Sequence, residues 1–201
     1  MDDHDRLRFI HDLYEFNNVE NSASVHYFAQ SHDVGRREIK QKLVDIHFFC
    51  LMRNHYHLLL SPVVDDGISL FMKKLNGGYA KYFNEKYKRT GALFQGKYRS
   101  VLINEDPHFL FIPFYIHFNP LDTCLPEWRK CQLKKLREAE NLLRSYRWSS
   151  HLDYSGRPNF PSVTNRRFFL DFFDGERGYE ETARETLMMF DDNEYKELEL
   201  E

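Results

Sequence analysis

Two histidines one residue apart, His55 and His57 in HYHLLLS, carry the sharpest chemical signal in the chain. On an extended strand, residues i and i+2 point to one face, so the two imidazoles would project together and could share a divalent cation. Tyr56, between them, would face the core. Two histidines do not complete a coordination shell, and a half-buried pair on a hairpin has the same spacing. Tyr115 and Asn119 are the second signal. They stand four residues apart, which on a helix puts both on one face. A phenol beside a metal-held phosphate is a competent nucleophile, and an amide oxygen could supply a third metal ligand. The chain has 12 tyrosines, and spacing alone reads more simply as a core tyrosine on an amphipathic helix.

The elements that must position these residues are legible in outline. Residues 44–52 (VDIHFFCLM) are rich in β-branched and aromatic types, and 55–61 (HYHLLLS) follow after the turn pair Arg53-Asn54, so a β-hairpin is predicted, stopped by Pro62. Residues 98–103 (YRSVLI) read as a third strand. Leu7, Ile10, Leu13 and Tyr14 predict a helix over 4–17, and a short helix is expected over 36–43. Asp65-Asp66-Gly67 opens a long helix over 68–87, with Gly77-Gly78 in its middle. Each glycine costs about 1 kcal/mol there, which suggests close approach of another element. Asp106-Pro107 is a helix start, and the helix would carry 109–118 to Asn119-Pro120. A charged amphipathic helix is expected over 128–144, and two short helices over 166–173 and 179–190.

Length and composition bound the answer. A chain of 201 residues predicts one main domain with a real core, and 42% hydrophobic with 29% charged residues is ordinary for a globular protein. No apolar run approaches the ~18 residues of a membrane span. Met1 is followed by Asp2-Asp3-His4-Asp5, the opposite of a basic leader, so no secretory signal is expected. Cys50, Cys124 and Cys131 lack CxxC spacing, which argues against a disulfide scaffold or a cysteine zinc site and fits a cytoplasmic protein. The net charge of −3 hides a division. Lys73, Lys74, Lys81, Lys86, Lys88, Arg89, Lys97 and Arg99 face the single acid Glu85, so 73–99 carries +7. From Asp171 to Glu201, twelve acids stand against three bases. Such asymmetry points to a polyanion-binding surface and a solvated acidic tail, or to two exposed helix faces of opposite sign.

Four segments together say more than any one. LMRNHYHLLL (51–60), RTGALFQGKYRSVLI (89–103), YIHFNP (115–120) and YRWSSHLDYSG (146–156) occur in this order. The chain resembles the single-tyrosine HUH transposases, in the IS200-like branch related to the REP-associated tyrosine transposases, over about 3–156. The resemblance implies that His55 and His57 bind Mg²⁺ or Mn²⁺, that Asn119 helps hold the metal, and that Tyr115 attacks a phosphodiester of single-stranded DNA. The expected products are a 5′-phosphotyrosine and a free 3′-hydroxyl. Lys73, Lys74, Lys81, Lys88, Arg89, Lys97 and Arg99, interleaved with Tyr79, Tyr82, Tyr87, Phe94 and Tyr98, would hold a DNA hairpin and its unpaired flank, cations on phosphates and aromatics on bases.

The implied fold is α+β, a ferredoxin-like (RRM-like) antiparallel sheet with packed helices. A catalytic domain would span 1–156, with a helical, acidic extension over 157–201. Relatives place a strand and an NRG-like turn before the segment matching Asp2 to Leu7, so the first strand is expected to be missing here, leaving unpaired sheet edges unless 24–29 (SVHYFA) fills the gap. Pro113, two residues before Tyr115, would remove one hydrogen bond from the helix and could kink it. Insertion-sequence relatives work as dimers, so a homodimer is one expected assembly. Two functions remain: a transposase-type strand transferase using Tyr115, and a non-catalytic binder of structured single-stranded nucleic acid.

Overall fold

The computed structural model describes residues 1–20, 41–104, 106–130 and 133–189, and within these the chain is α+β. The expectations for 24–29, most of 36–43 and the end of the acidic tail lie outside the described residues. The chain divides into two compact units, Met1–Asp45 with Leu60–Tyr98, and Ile46–Leu59 with Arg99–Glu201.

Strands β1 (Val44–Leu51) and β2 (Tyr56–Pro62) form a two-stranded antiparallel sheet, and each contributes to both units. The Met52 amide donates to the His55 carbonyl at 2.9 Å, so Arg53 and Asn54 form the two-residue connection the sequence predicts. The other side of β1 is covered. The Leu51 amide donates to the Trp148 carbonyl at 2.8 Å and the Ser150 amide to the Phe49 carbonyl at 3.0 Å, an antiparallel bridge centred on Cys50 and Ser149. The expected third strand over 98–103 does not form. Val101 and Leu102 are 40% and 80% exposed. Strand-like composition needs a hydrogen-bonding partner, and on β1 that place is taken by 148–150.

The first unit holds helices α1 (Asp3–Glu15) and α2 (Gly67–Tyr87), both as predicted. Asp2 and Asp5 form a reciprocal capping box, each side chain accepting from the other's amide at 2.8 Å. Asp5 is fully buried and also accepts from Lys86 (2.6 Å), Tyr87 (2.7 Å) and Tyr82 (3.0 Å), which ties the start of α1 to the end of α2. These bonds outweigh its burial and hold its carboxyl well below the usual range. The close approach expected at the glycine pair is real at one of the two. A Cβ on Gly78 would strike the Phe16 ring, whereas one on Gly77 would meet open space.

The second unit packs around helix α3 (Asp106–Phe118), which runs on through Pro113. Its last five residues, Phe114 to Phe118, are all buried, as a helix enclosed on every side must be. Helices α4 (Leu136–Ser145), α5 (His151–Tyr154), α6 (Arg167–Phe172) and α7 (Gly175–Met189) surround it. The long helix expected over 128–144 is divided. Trp128 lies in a 3₁₀ turn over Pro126–Arg129, and α4 starts only at Leu136. Pro126 opens that turn, and the side chains of Trp128 and Arg129 are both drawn to Asp122.

Candidate functional site

His55 sits at the end of the two-residue connection and His57 on β2, and their ring centroids lie 5.0 Å apart at 88°. The same-face expectation therefore holds. The inside–outside expectation does not: Tyr56 is half-buried, while His57 is buried. His55 donates its Nδ1 proton to the Asn54 side-chain oxygen at 2.9 Å, since that oxygen can only accept. In the neutral ring the lone pair then lies on Nε2. The Nε2 atoms of both rings are buried, and that of His57 has no hydrogen-bond partner among the described residues. Burial, then the neighbouring His55 and Arg129, pushes the His57 pKa down to about 4, against the opposing effect of Asp122. The ring is neutral at pH 7.

Tyr115, on α3, meets His57 edge to face, with centroids 5.8 Å apart at 90°. The tyrosine is 2% exposed and its hydroxyl is buried. Asn119 opens a 3₁₀ turn over Asn119–Thr123, directly after α3. It is fully buried. Its side-chain nitrogen donates back to the Tyr115 carbonyl at 2.7 Å, and its oxygen accepts from Arg129 at 3.2 Å. The structure thus brings His57 from β2 against Tyr115, whose carbonyl holds the Asn119 amide.

Sequence reasoning missed Arg129 and Asp122. The Arg129 guanidinium lies over the Tyr115 ring, 5.2 Å from its centroid, and over Trp128 at 4.7 Å. Its Nε and Nη2 donate to the two Asp122 oxygens at 2.8 and 2.7 Å, and the Trp128 indole donates to the same carboxylate at 2.7 Å. The ion pair is largely shielded, with the side chains of Arg129 and Asp122 17% and 30% exposed. No periodicity could have found it, because two 3₁₀ turns rather than a helix or strand bring positions 119, 122 and 129 together.

The donor set suits a divalent cation in part. Two imidazoles, one of them anchored through its other nitrogen by a side-chain oxygen, are the usual presentation of metal-binding histidines. Among the described residues no third histidine, cysteine or carboxylate joins the pair. The amide oxygen of Asn119 and oxygens of water or a phosphate are the remaining hard donors for Mg²⁺ or Mn²⁺.

The basic residues expected to bind DNA belong to the first unit, apart from Arg99. Lys73, Lys81, Lys88, Arg89, Lys97 and Arg99 are exposed. Lys74 is half-buried and donates to the carbonyls of Asn18, Val19 and Glu20 at 2.6, 3.3 and 3.1 Å, a structural clamp behind α1. The aromatic expectation needs correction too. Tyr79 packs edge-on against Phe9 at 5.0 Å and is 4% exposed, while Tyr82 and Tyr87 are tied to Asp5. Tyr87 and Tyr98 still present surface, at 41% and 38% exposed.

Residues 24–119 match the model of a family described as IS200-like transposase. The matched segment contains His55, His57, Tyr115, Asn119 and the basic run, and stops short of Asp122 and Arg129. No curated protein and no solved structure matches the chain. No helix among the described residues is long and apolar enough to cross a membrane.

Proposed function

We propose that this chain, whose residues 24–119 match the model of the IS200-like transposase family, belongs to that family of DNA-processing enzymes and is a strand transferase that cleaves single-stranded DNA at hairpins through Tyr115. The Tyr115 oxygen forms a bond to phosphorus as the bond from phosphorus to the 3′ oxygen breaks. The phenol proton is transferred, directly or through water, to the leaving 3′ oxygen. A 5′-phosphotyrosine and a 3′-hydroxyl result, and attack by another 3′-hydroxyl reverses the step and rejoins strands without an energy source. His55 and His57 would hold Mg²⁺ or Mn²⁺, with Asn119 as a third ligand, and the ion would neutralise charge on the scissile phosphate. The exposed cations Lys73, Lys81, Lys88, Arg89, Lys97 and Arg99 would track the phosphates of the hairpin. The same reading suits a cytoplasmic protein and allows a homodimer.

The observation that carries this reading is the edge-to-face contact of His57 with Tyr115, a neutral, buried imidazole against the one tyrosine that the motif order selects. A second reading, a non-catalytic binder of structured single-stranded nucleic acid, is favoured by the burial of Tyr115, since a nucleophile must reach its phosphate. A labelled hairpin oligonucleotide incubated with Mn²⁺ separates the two. The strand transferase gives a covalent adduct that mass spectrometry places on Tyr115, and Tyr115→Phe abolishes it while hairpin binding survives. Binding without adduct establishes the binder. An adduct on another tyrosine overturns the assignment of Tyr115.

A further inference from the structure

The oxygen read above as a third metal ligand is already held by a cation. Nη2 of Arg129 donates to the Asn119 amide oxygen at 3.2 Å. The orientation of that amide is dictated on both sides. The Tyr115 carbonyl, 2.7 Å from Nδ2, can only accept, and the guanidinium can only donate, so the oxygen must face Arg129. Turned over, the amide would set donor against donor and acceptor against acceptor. The guanidinium is fixed in turn by the paired bonds to Asp122, whose carboxylate the Trp128 indole also holds. Asn119 and Arg129 are both well shielded from water, so neither group exchanges partners freely.

We propose that Arg129 is a positioning residue that withholds the Asn119 oxygen, so that a divalent cation on the histidine pair gains its third protein ligand only in exchange for this hydrogen bond. The inference rests on the reading of His55 and His57 as metal ligands. The two states of Asn119 exclude each other, because an amide oxygen shared by a guanidinium and a dication would press like charges together. An arginine bonds an anionic oxygen more strongly than an amide oxygen, and a phosphodiester arriving beside Tyr115 offers one. Arg129 then moves to the phosphate as Asn119 turns to the ion.

The test is the Mn²⁺ affinity of the metal-free full chain, read by electron paramagnetic resonance without DNA and without turnover. Arg129→Gln tightens Mn²⁺ binding by about tenfold, the equivalent of about 1.4 kcal/mol, as the loss of one competing charged hydrogen bond requires. Removing a positive charge would also tighten binding, so the same substitution is made in an Asn119→Ala background. The charge lost is equal in both backgrounds, and the difference between the two gains isolates the hydrogen bond. A gain at least fivefold larger with Asn119 present is the expected result, on the order of one such bond. Equal gains, or no gain, overturn the proposal. If Arg129→Gln does not give a native circular-dichroism spectrum, Arg129→Lys, which keeps the charge opposite Asp122 but loses the fork, is read in the same cycle with the same expectation. His57→Ala is the reference. A wild-type chain without His57-dependent Mn²⁺ binding overturns the metal reading and this proposal together, whereas His57-dependent binding with equal gains removes the role of Arg129 alone.

Discussion

The phenol oxygen of Tyr179 on α7 lies 2.6 Å from Nδ1 of His117 on α3, two residues past Tyr115. The same oxygen is 2.9 Å from Nδ1 of His151, and the other nitrogen of His117 is 2.7 Å from the Ser150 hydroxyl. All four residues are buried. A phenol has one proton to give, so at most one imidazole accepts from it and the other must donate to its oxygen. The network ties the helix that carries Tyr115 to the last described helix, through groups with no access to water. Tyr179→Phe leaves two buried ring nitrogens without this partner and lowers unfolding free energy by about 2–3 kcal/mol, read from urea denaturation.

Protonation should break the same network. Burial pushes the His151 pKa down to about 4 and holds His117 well below its ordinary 6.5. Below pH 6.5 the unfolded chain takes up protons at both positions that the folded chain refuses, at His151 until near pH 4. Stability is therefore independent of these groups above pH 7 and falls as pH drops from 6.5 toward 4. His57, also near 4, adds to the fall. Urea midpoints at pH 7.5 and pH 5 measure it. His151→Phe should flatten the slope by about one proton, and an unchanged slope would show that His151 does not titrate in this way.

Gly77 and Gly78 are adjacent and should respond oppositely. Gly77→Ala adds a methyl to open space and removes a flexible residue from mid-helix, so it raises stability by about 0.5–1 kcal/mol. Gly78→Ala drives a methyl into the Phe16 ring and lowers stability by about 1–3 kcal/mol. Thermal melting of the two variants side by side checks the pair.

Asp5 should behave as the anchor of the first unit. Its carboxylate is fully buried and accepts from Lys86, Tyr82, Tyr87 and the Asp2 amide. Asp5→Ala strands those donors and lowers stability by about 2–4 kcal/mol. Because its folded pKa is depressed, this contribution is present above about pH 4 and is lost as pH falls below that. An acid titration followed by circular dichroism should show a steeper loss below pH 4 in the wild type than in Asp5→Ala.

The basic residues should divide by role. Joint replacement of Lys81, Lys88 and Arg89 by Gln should flatten the salt dependence of hairpin binding, by about one unit of log–log slope per lost phosphate contact, and leave the melting temperature nearly unchanged. Lys74→Gln should do the reverse, since its ammonium serves three carbonyls of the chain. Fluorescence anisotropy at several salt concentrations, with melting curves alongside, distinguishes the two sets.

What the sequence determined by itself lies at short range. The β-branched and aromatic content of 44–52, followed by the turn pair Arg53-Asn54 and the run 55–61, specified the hairpin, and the i, i+2 spacing put His55 and His57 on one face. The spacing of apolar residues specified α1 and α2, the Asp106-Pro107 start and the Asn119-Pro120 stop specified α3, and the four-residue interval from Tyr115 brought Asn119 beneath its carbonyl. These follow from backbone periods of 2 and 3.6, which any short window carries. Tertiary structure decided whatever depends on a distant partner. The 98–103 run has strand composition and no strand, since 148–150 occupies the place beside β1. Tyr79 and Lys74 belong to basic, aromatic-rich sequence, yet one is a core residue and the other a clamp. Arg129 reached Tyr115 and Asn119 only because irregular turns folded its segment back, and irregular backbone has no period from which a contact can be read.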